Sequence, residues 1–454
     1  MAGRVAEDVM EQEIKNEMKQ RILAELDMSQ EIDDMEVRRL VDQCIMEYKG
    51  TTELPLPARI KLRKELFNTV RRMDVLSEFL EDESVTEIMI NGYDNIFIER
   101  SGRVYKVDQT FENEERLASI IQQIVAGCNR IVNEAVPIVD ARLADGSRVN
   151  VVLPPISLNG PTMTIRKFPK EKMTMERLIE VGALSEDAAE FLKRLVKARY
   201  NIFVSGGTGA GKTTFLNALS DYIPQQERVI TIEDSAELQL KNVVNLVRLE
   251  SRNSNVEGTN AVTIRELIKS SLRMRPDRVI VGEVRDAAAI DMLAAMNTGH
   301  DGSLSTGHAN SSGDMITRLE SMVLMGMELP LEAVRRQIAS AVDVIIHLGR
   351  LRDGSRKVLE IAEVTGMREG LVELHTIYEF EEMVAGEEQE VTDMVYAAAG
   401  TLSEQNVTDG FQLHKVTGRL RARAELLHQE KFLRAGIAYK SVLCAEVRSE
   451  GAGV

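Results

Sequence analysis

The chain has 454 residues, 44% apolar and 28% charged, and 72 acidic against 56 basic side chains leave a formal charge of −16. That length suggests about three structural units, and the acidic balance disfavours a protein built to grip nucleic-acid backbone. Cys44, Cys128 and Cys444 form no CxxC pair, which argues against zinc or a disulfide framework. No stretch approaches the ~20 apolar residues of a membrane span, and the acidic start is unlike a signal peptide, so a cytoplasmic chain is expected.

In the first stretch, Met10, Ile14, Met18, Ile22 and Leu26 recur at helical spacing, and Val37, Val41, Cys44, Ile45 and Tyr48 resume the pattern beyond Ser29-Gln30. Such stripes need a partner. Residues 1–75 therefore read as a helical hairpin or bundle, or as a solvated arm that orders against a partner. A further helix is expected after Pro57, a residue suited to a first turn.

From Val85 the pattern changes to short β-branched runs at 86–91, 95–100 and 103–107, punctuated by Gly92-Tyr93-Asp94 and Ser101-Gly102. A helix with Leu117, Ile120, Ile121, Ile124, Val125 and Cys128 on one face follows. Strands are then expected at 138–143, 148–153 and 162–166, the first two joined at Asp145-Gly146. Residues 76–170 thus form a compact α+β domain.

Beyond 184 the rhythm is strand–helix. Strands are expected at 201–205, 229–233, 243–249, 278–283 and 302–306. Helices fall at 186–198, 211–222, 263–273, 287–297, 315–324 and 331–342, before an apolar 344–348. The alternation predicts an α/β domain over 171–375 with a mainly parallel, doubly covered sheet, whose ligands bind beyond the strands' carboxyl ends. In the tail, 376–454, no Lys or Arg occurs between Arg368 and Lys415. This part reads as a solvated acidic loop, followed by a basic, helix-prone segment at 415–434.

The chemistry concentrates in a few places. Gly206-Gly207-Thr208-Gly209-Ala210-Gly211-Lys212-Thr213, with Thr214 behind it, is a complete G-x-x-x-x-G-K-[ST] between an expected strand and helix. Its glycines let backbone N–H groups face phosphate oxygens, Lys212 reaches the β/γ-phosphates, and the Thr213 hydroxyl joins a Mg²⁺ shell. The apolar strand ending in Gly282-Glu283 reads as a Walker-B-like element beside that loop. A second strand ends in Glu233-Asp234, and two carboxylates over one site imply a cation between them. Either Glu233 or Glu283 serves as the base that activates water. His300 and His308 flank a short strand that enters the same sheet edge, where a histidine can sense the γ-phosphate. Arg142, Arg148 and Arg166 in the smaller domain are candidates for an arginine finger.

Together these motifs resemble the secretion ATPases of bacterial type II/type IV systems, and most closely the CpaF/TadA-type ATPases of tight-adherence (Flp) pilus assembly. The matching segments are 86–92, 141–150, 162–168, the phosphate loop, Thr231-Ile232-Glu233-Asp234, Val281-Gly282-Glu283-Val284-Arg285 and His300…His308. Asp286 and Ala144 depart from the family pattern, and the former is expected to shift the start of the next helix. The resemblance implies a RecA-like P-loop ATPase domain preceded by a sensor-like domain that closes over ATP. It also implies a homo-hexameric ring driving an inner-membrane platform protein from the cytoplasmic face of the membrane. By motif position, Arg148 and Arg166 take the arginine-contact roles, with Arg142 a third candidate. The rival readings are a RecA-like nucleic-acid motor, disfavoured by acidity and the lack of Trp, and an ATP-binding switch without turnover.

Overall fold

A computed structural model describes residues 17–18, 21–22, 34–47, 56–71, 73–100, 102–168, 173–252, 261–382, 405–406 and 416–443. Met10, Ile14, Leu26, Tyr48 and Cys444 lie outside these residues, as does most of the acidic stretch between 383 and 415. The chain divides into two compact units, Met1–Lys170 with Met394–Phe411, and Glu171–Asp393 with Gln412–Val454.

The first unit begins with α1 (Asp34–Glu47) and α2 (Leu56–Arg71), with Pro57 in the opening turn of α2. Met18, Ile22, Val37, Val41, Cys44, Ile45, Leu66 and Phe67 form a small core of their own. After the short α3 (Leu76–Glu81), an antiparallel sheet is built from β1 (Val85–Asn91), β2 (Ile96–Arg100), β3 (Arg103–Lys106), β4 (Ile138–Arg142), β5 (Arg148–Val152) and β6 (Thr162–Arg166). With Gln405–Asn406 (β15) added beside β3, the strand order is β15-β3-β2-β1-β6-β5-β4. Alternate residues of these strands, including Ile88, Ile90, Ile96, Ile98, Val149, Val151, Met163 and Ile165, pack with α4 (Glu114–Gly127). That helix starts where the Asn113 side chain accepts from the Arg116 N–H at 2.8 Å, satisfying a donor that a helix start leaves open. The turn after β1 requires Gly92, whose φ is +93° and where a Cβ would stand 2.9 Å from the Asn159 carbonyl oxygen.

The second unit holds α5 (Met175–Glu180), α6 (Glu186–Lys197), β7 (Ile202–Gly206), α7 (Lys212–Ser220), β8 (Arg228–Glu233), β9 (Asn245–Glu250), α8 (Ile264–Ser271) and β10 (Arg278–Val281). It continues with α9 (Ala288–Asn297), β11 (Leu304–Gly307), α10 (Ser312–Gly326), α11 (Leu331–Ala341), β12 (Val344–Arg350), β13 (Arg356–Arg368), β14 (Leu371–Glu382), β16 (Gly418–Ala422) and α12 (Glu430–Arg434). The sheet order is β16-β14-β13-β12-β7-β11-β10-β8-β9. Strands β12, β7, β11, β10, β8 and β9 run parallel, and β12, β13, β14 and β16 pair antiparallel. One core joins α6 and α7 to the sheet and to the C-terminal residues Leu426, Phe432 and Val442. A second core joins α9, α10 and α11 to Phe203, Ile230, Ile232, Val279 and Val281. The fully buried strands β7 and β10 read as continuous apolar runs for that reason. The result is a RecA-like α/β domain, with a smaller α+β unit in the same chain.

The tail corrects the sequence-based expectation. Part of the basic segment expected to be helical is β16, paired with β14, and the acidic residues at the end of β14 form strand rather than solvated loop. Alternate burial is the reason: Leu420 and Ala422 of β16 enter the core of this unit, a period-two pattern that suits a strand. Arg421 Nε lies 3.0 Å from Glu381 and Arg423 Nε 3.1 Å from Glu379, but these exposed pairs add little. Asp286 accepts from the Ala288 N–H at 2.9 Å where α9 begins, one residue later than the sequence pattern placed it.

Candidate nucleotide site

The phosphate loop runs from the end of β7 into α7. Gly209 and Gly211 have φ of +72° and +92°, left-handed conformations that a β-carbon disfavours. Thr213 is half-buried and Thr214 exposed in the first turn of α7. The Lys212 side chain is buried, and its Nζ donates to the carbonyl oxygens of Gly206 and Gly207, both at 3.1 Å. It also stands 3.3 Å from His308 Nδ1. Burial lowers the Lys212 pKa, while the Glu283 carboxylate opposes that shift.

Strand order explains how a distant carboxylate joins this lysine. The sequence placed Glu283 directly beside the loop, but β11 stands between β7 and β10. His308, just past the end of β11, fills that gap. Its Nε2 lies 2.9 Å from Glu283 Oε1, a close contact rather than an aligned hydrogen bond. Burial and then Lys212 hold the His308 pKa below the ordinary imidazole value, while the Glu283 carboxylate opposes that shift. Glu283 also accepts from Arg285 at 2.8 Å, and Arg285 lies 3.3 Å from Asp234. Burial pushes the Glu283 carboxyl upward, but the Arg285 hydrogen bond and the charges of Arg285, His308 and Lys212 outweigh it, leaving the group below the usual glutamate value. Two hydroxyls tie β11 to the β10 backbone: Ser305 donates to the Val281 oxygen at 3.1 Å and Thr306 to the Gly282 oxygen at 2.7 Å.

Glu233 has a different environment. It is 3% exposed. Its Oε2 accepts from the N–H groups of Glu237 and Leu238 at 2.7 and 2.9 Å, while buried Oε1 has no hydrogen-bond partner among the described residues. Burial pushes its pKa up to about 7 against those two backbone donors. A Cβ on Gly282 would meet Glu233 Cγ at 2.9 Å, so the glycine before Glu283 makes room for the other carboxylate.

His300 does not join this group, which corrects its sequence-based placement. It precedes β11 and His308 follows it, so the two rings occupy opposite ends of the strand, and His300 Nδ1 lies 3.2 Å from the Ala295 oxygen. Two residues without a motif do stand beside the loop. The Ser205 hydroxyl is 2.8 Å from Nδ1 of buried His347, and Arg356 Nε donates to the Gly209 oxygen at 2.7 Å. The alignment of β12 with β7, which pairs His347 with Ser205, brings the first of them there.

In the first unit, Arg142, Arg148 and Arg166 stand in one register row across β4, β5 and β6, and Glu87 of β1 closes the row. Arg142 donates to the Gly146 oxygen at 3.2 Å, and its guanidinium sits over the Phe168 ring. Burial and then Glu99 raise the Glu87 pKa, with Arg166 opposing.

A phosphate loop on a parallel sheet, with one strand between it and the carboxylate strand, defines a P-loop nucleotide-binding protein of the RecA-like type. Residues 71–431 match the family model described as type II/IV secretion system protein. The chain belongs to that family. It is 34% identical over 356 residues to a putative conjugal transfer protein of Mycobacterium tuberculosis, covering 77% of this chain and 99% of that protein. It is 33% identical over 322 residues to the type IV secretion system protein VirB11 of Brucella suis, covering 64% of this chain and 88% of that one. Among solved structures, the VirB11 ATPase of Brucella suis in complex with sulphate shares 31% identity over 63% of this chain and 92% of its own, with a TM-score of 0.36. No helix among the described residues is long and apolar enough to cross a membrane.

Proposed function

We propose that this chain is an ATPase motor of a bacterial secretion or pilus-assembly system. In this reading it works as a homo-hexameric ring at the cytoplasmic face of the inner membrane and drives a platform protein there. The observation that carries the proposal is the contact series Lys212–His308–Glu283. A loop that only binds nucleotide needs the lysine; hydrolysis also needs a γ-phosphate sensor and a carboxylate that places water or metal.

The backbone N–H groups of 207–213 and Lys212 hold the phosphates, and His308 donates to the terminal one. The Thr213 hydroxyl and the Glu283 carboxylate are hard oxygen donors of the kind Mg²⁺ takes, and they would hold that ion. When bound, it neutralises phosphate charge. Glu233, with a buried oxygen that lacks a partner among the described residues and a pKa of about 7, is matched to a general base at neutral pH and takes the proton of the attacking water. Arg148 and Arg166, with Arg142 beside them, supply the positive charge that meets the transition state. The motifs over 86–168 and the helical region before them support the CpaF/TadA-type, tight-adherence branch.

Magnesium-dependent ATPase of the purified chain, with mass photometry across protein concentrations, tests this reading. Turnover that rises as hexamers form, and is lost in Lys212→Ala, is expected. Turnover that persists in that variant, or that requires single-stranded DNA, refutes the proposal. Neighbouring genes for membrane platform proteins and a small pilin would support the branch.

A further inference from the structure

Arg356 opens β13, immediately after the 351–355 turn that joins it to β12. Leu348 of β12 is register-paired with Gly206 of β7, so the turn stands beside the phosphate loop. From there Arg356 Nε donates to the Gly209 oxygen at 2.7 Å, and its Cδ lies 3.5 Å from where a Cβ on Gly211 would be. A peptide group is planar and trans, so fixing the Gly209 oxygen also fixes the direction of the Ala210 N–H. Gly209 is in the left-handed region, with φ of +72°, one of several conformations open to a glycine, so an outside contact helps select it.

The turn is anchored from a third direction. Asp353 Oδ1 accepts from the Ser355 N–H and hydroxyl at 2.9 and 2.6 Å, and Leu351 N–H donates to the Ser355 oxygen at 2.8 Å. Asp353 Oδ2 accepts from the N–H of buried Val416 at 2.8 Å, two residues before β16. A continuous set of contacts therefore runs from the C-terminal strand through Asp353 and the turn to Arg356 and the loop.

We propose that Arg356 is a positioning residue for nucleotide: it holds the Gly209–Ala210 peptide, whose N–H donates to the Gly207 oxygen at 3.3 Å, and so keeps the turn of the phosphate loop in shape, and Asp353 makes that grip depend on the docked β16 segment. This rests on the nucleotide-binding reading above. The test is equilibrium binding of a fluorescent ADP analogue, with steady-state ATPase, for the full-length wild type and the Lys212→Ala, Arg356→Ala, Arg356→Lys, Asp353→Asn and Arg356→Ala/Asp353→Asn variants. Arg356→Ala is expected to raise Kd roughly tenfold, the scale of one charge-assisted hydrogen bond, with a larger change in KM than in kcat. Arg356→Lys should recover part of the loss. Asp353→Asn should shift Kd in the same direction, and the double variant should bind no more weakly than Arg356→Ala. Unchanged Kd in a folded Arg356→Ala, or a loss confined to kcat, overturns the positioning role. Additive losses in the double variant overturn the dependence on Asp353. A wild type that fails to bind, or a Lys212→Ala that binds equally well, refutes the nucleotide reading itself and is thereby distinguished from a failure of this inference.

Discussion

Replacing Glu233 with Gln removes a charge whose burial the fold opposes. The carboxyl moves from an ordinary 4.5 to about 7 in the folded protein. Its folded pKa is therefore the higher one, and its favourable contribution is full below 4.5 and lost as pH rises through about 7. At about 1.4 kcal/mol for each pH unit, the wild type should lose roughly 2–3 kcal/mol between pH 5 and pH 8 through this one group. Gln keeps an oxygen to accept from Glu237 and Leu238 and does not ionise. Calorimetric melting of the nucleotide-free protein should show Glu233→Gln gaining on the wild type by about 5–10 °C more at pH 8 than at pH 5. If Glu233 is the base, the acid limb of wild-type kcat/KM should fall near pH 7, and the variant should bind ATP but not turn it over. Equal melting differences at both pH values would refute the electrostatic reasoning, and an acid limb below pH 5 would move the base to Glu283.

Arg278 is fully buried, pairs with Glu227 through two nitrogens and donates to the Gly302 oxygen at 3.2 Å. Glu227→Ala should cost about 3–5 kcal/mol by leaving that guanidinium uncompensated; urea denaturation checks this, and a loss under about 1 kcal/mol would contradict it. His308→Ala should lower kcat by about tenfold or more, whereas His300→Ala, at the other end of β11, should leave it within about twofold; equal losses would contradict the separation of the two rings. Arg166→Ala should lower kcat by about a hundredfold or more without moving the thermal transition, and a lost transition would reveal a structural role.

Local chemistry made much of the fold legible. In the first unit, period-two burial and turn residues set strand limits to within a residue or so, since Gly92 and Gly146 have few alternatives at those turns. In the second unit, the loop glycines and the apolar strands around them locate the sheet's central region. What escaped depends on pairing across long separations. β16 reads as helix by composition and becomes strand where pairing with β14 places Leu420 and Ala422 in the core. His300 and His308 are close in sequence, yet a four-residue strand sends them to opposite ends. His347 and Arg356 belong to no motif; only the alignment of β12 with β7 brings them to the loop. The different surroundings of the two carboxylates were equally invisible, because burial and the donors at 237 and 238 set those of Glu233.

The strand that feeds the phosphate loop occupies the middle position of nine, with β12 on one side and β11 on the other. Sliding it would break two full ladders at once. Its amide protons should be among the last to trade with deuterium, and those of the outermost strands, β9 and β16, among the first. The nucleotide loop would then be anchored on the stillest element of its sheet.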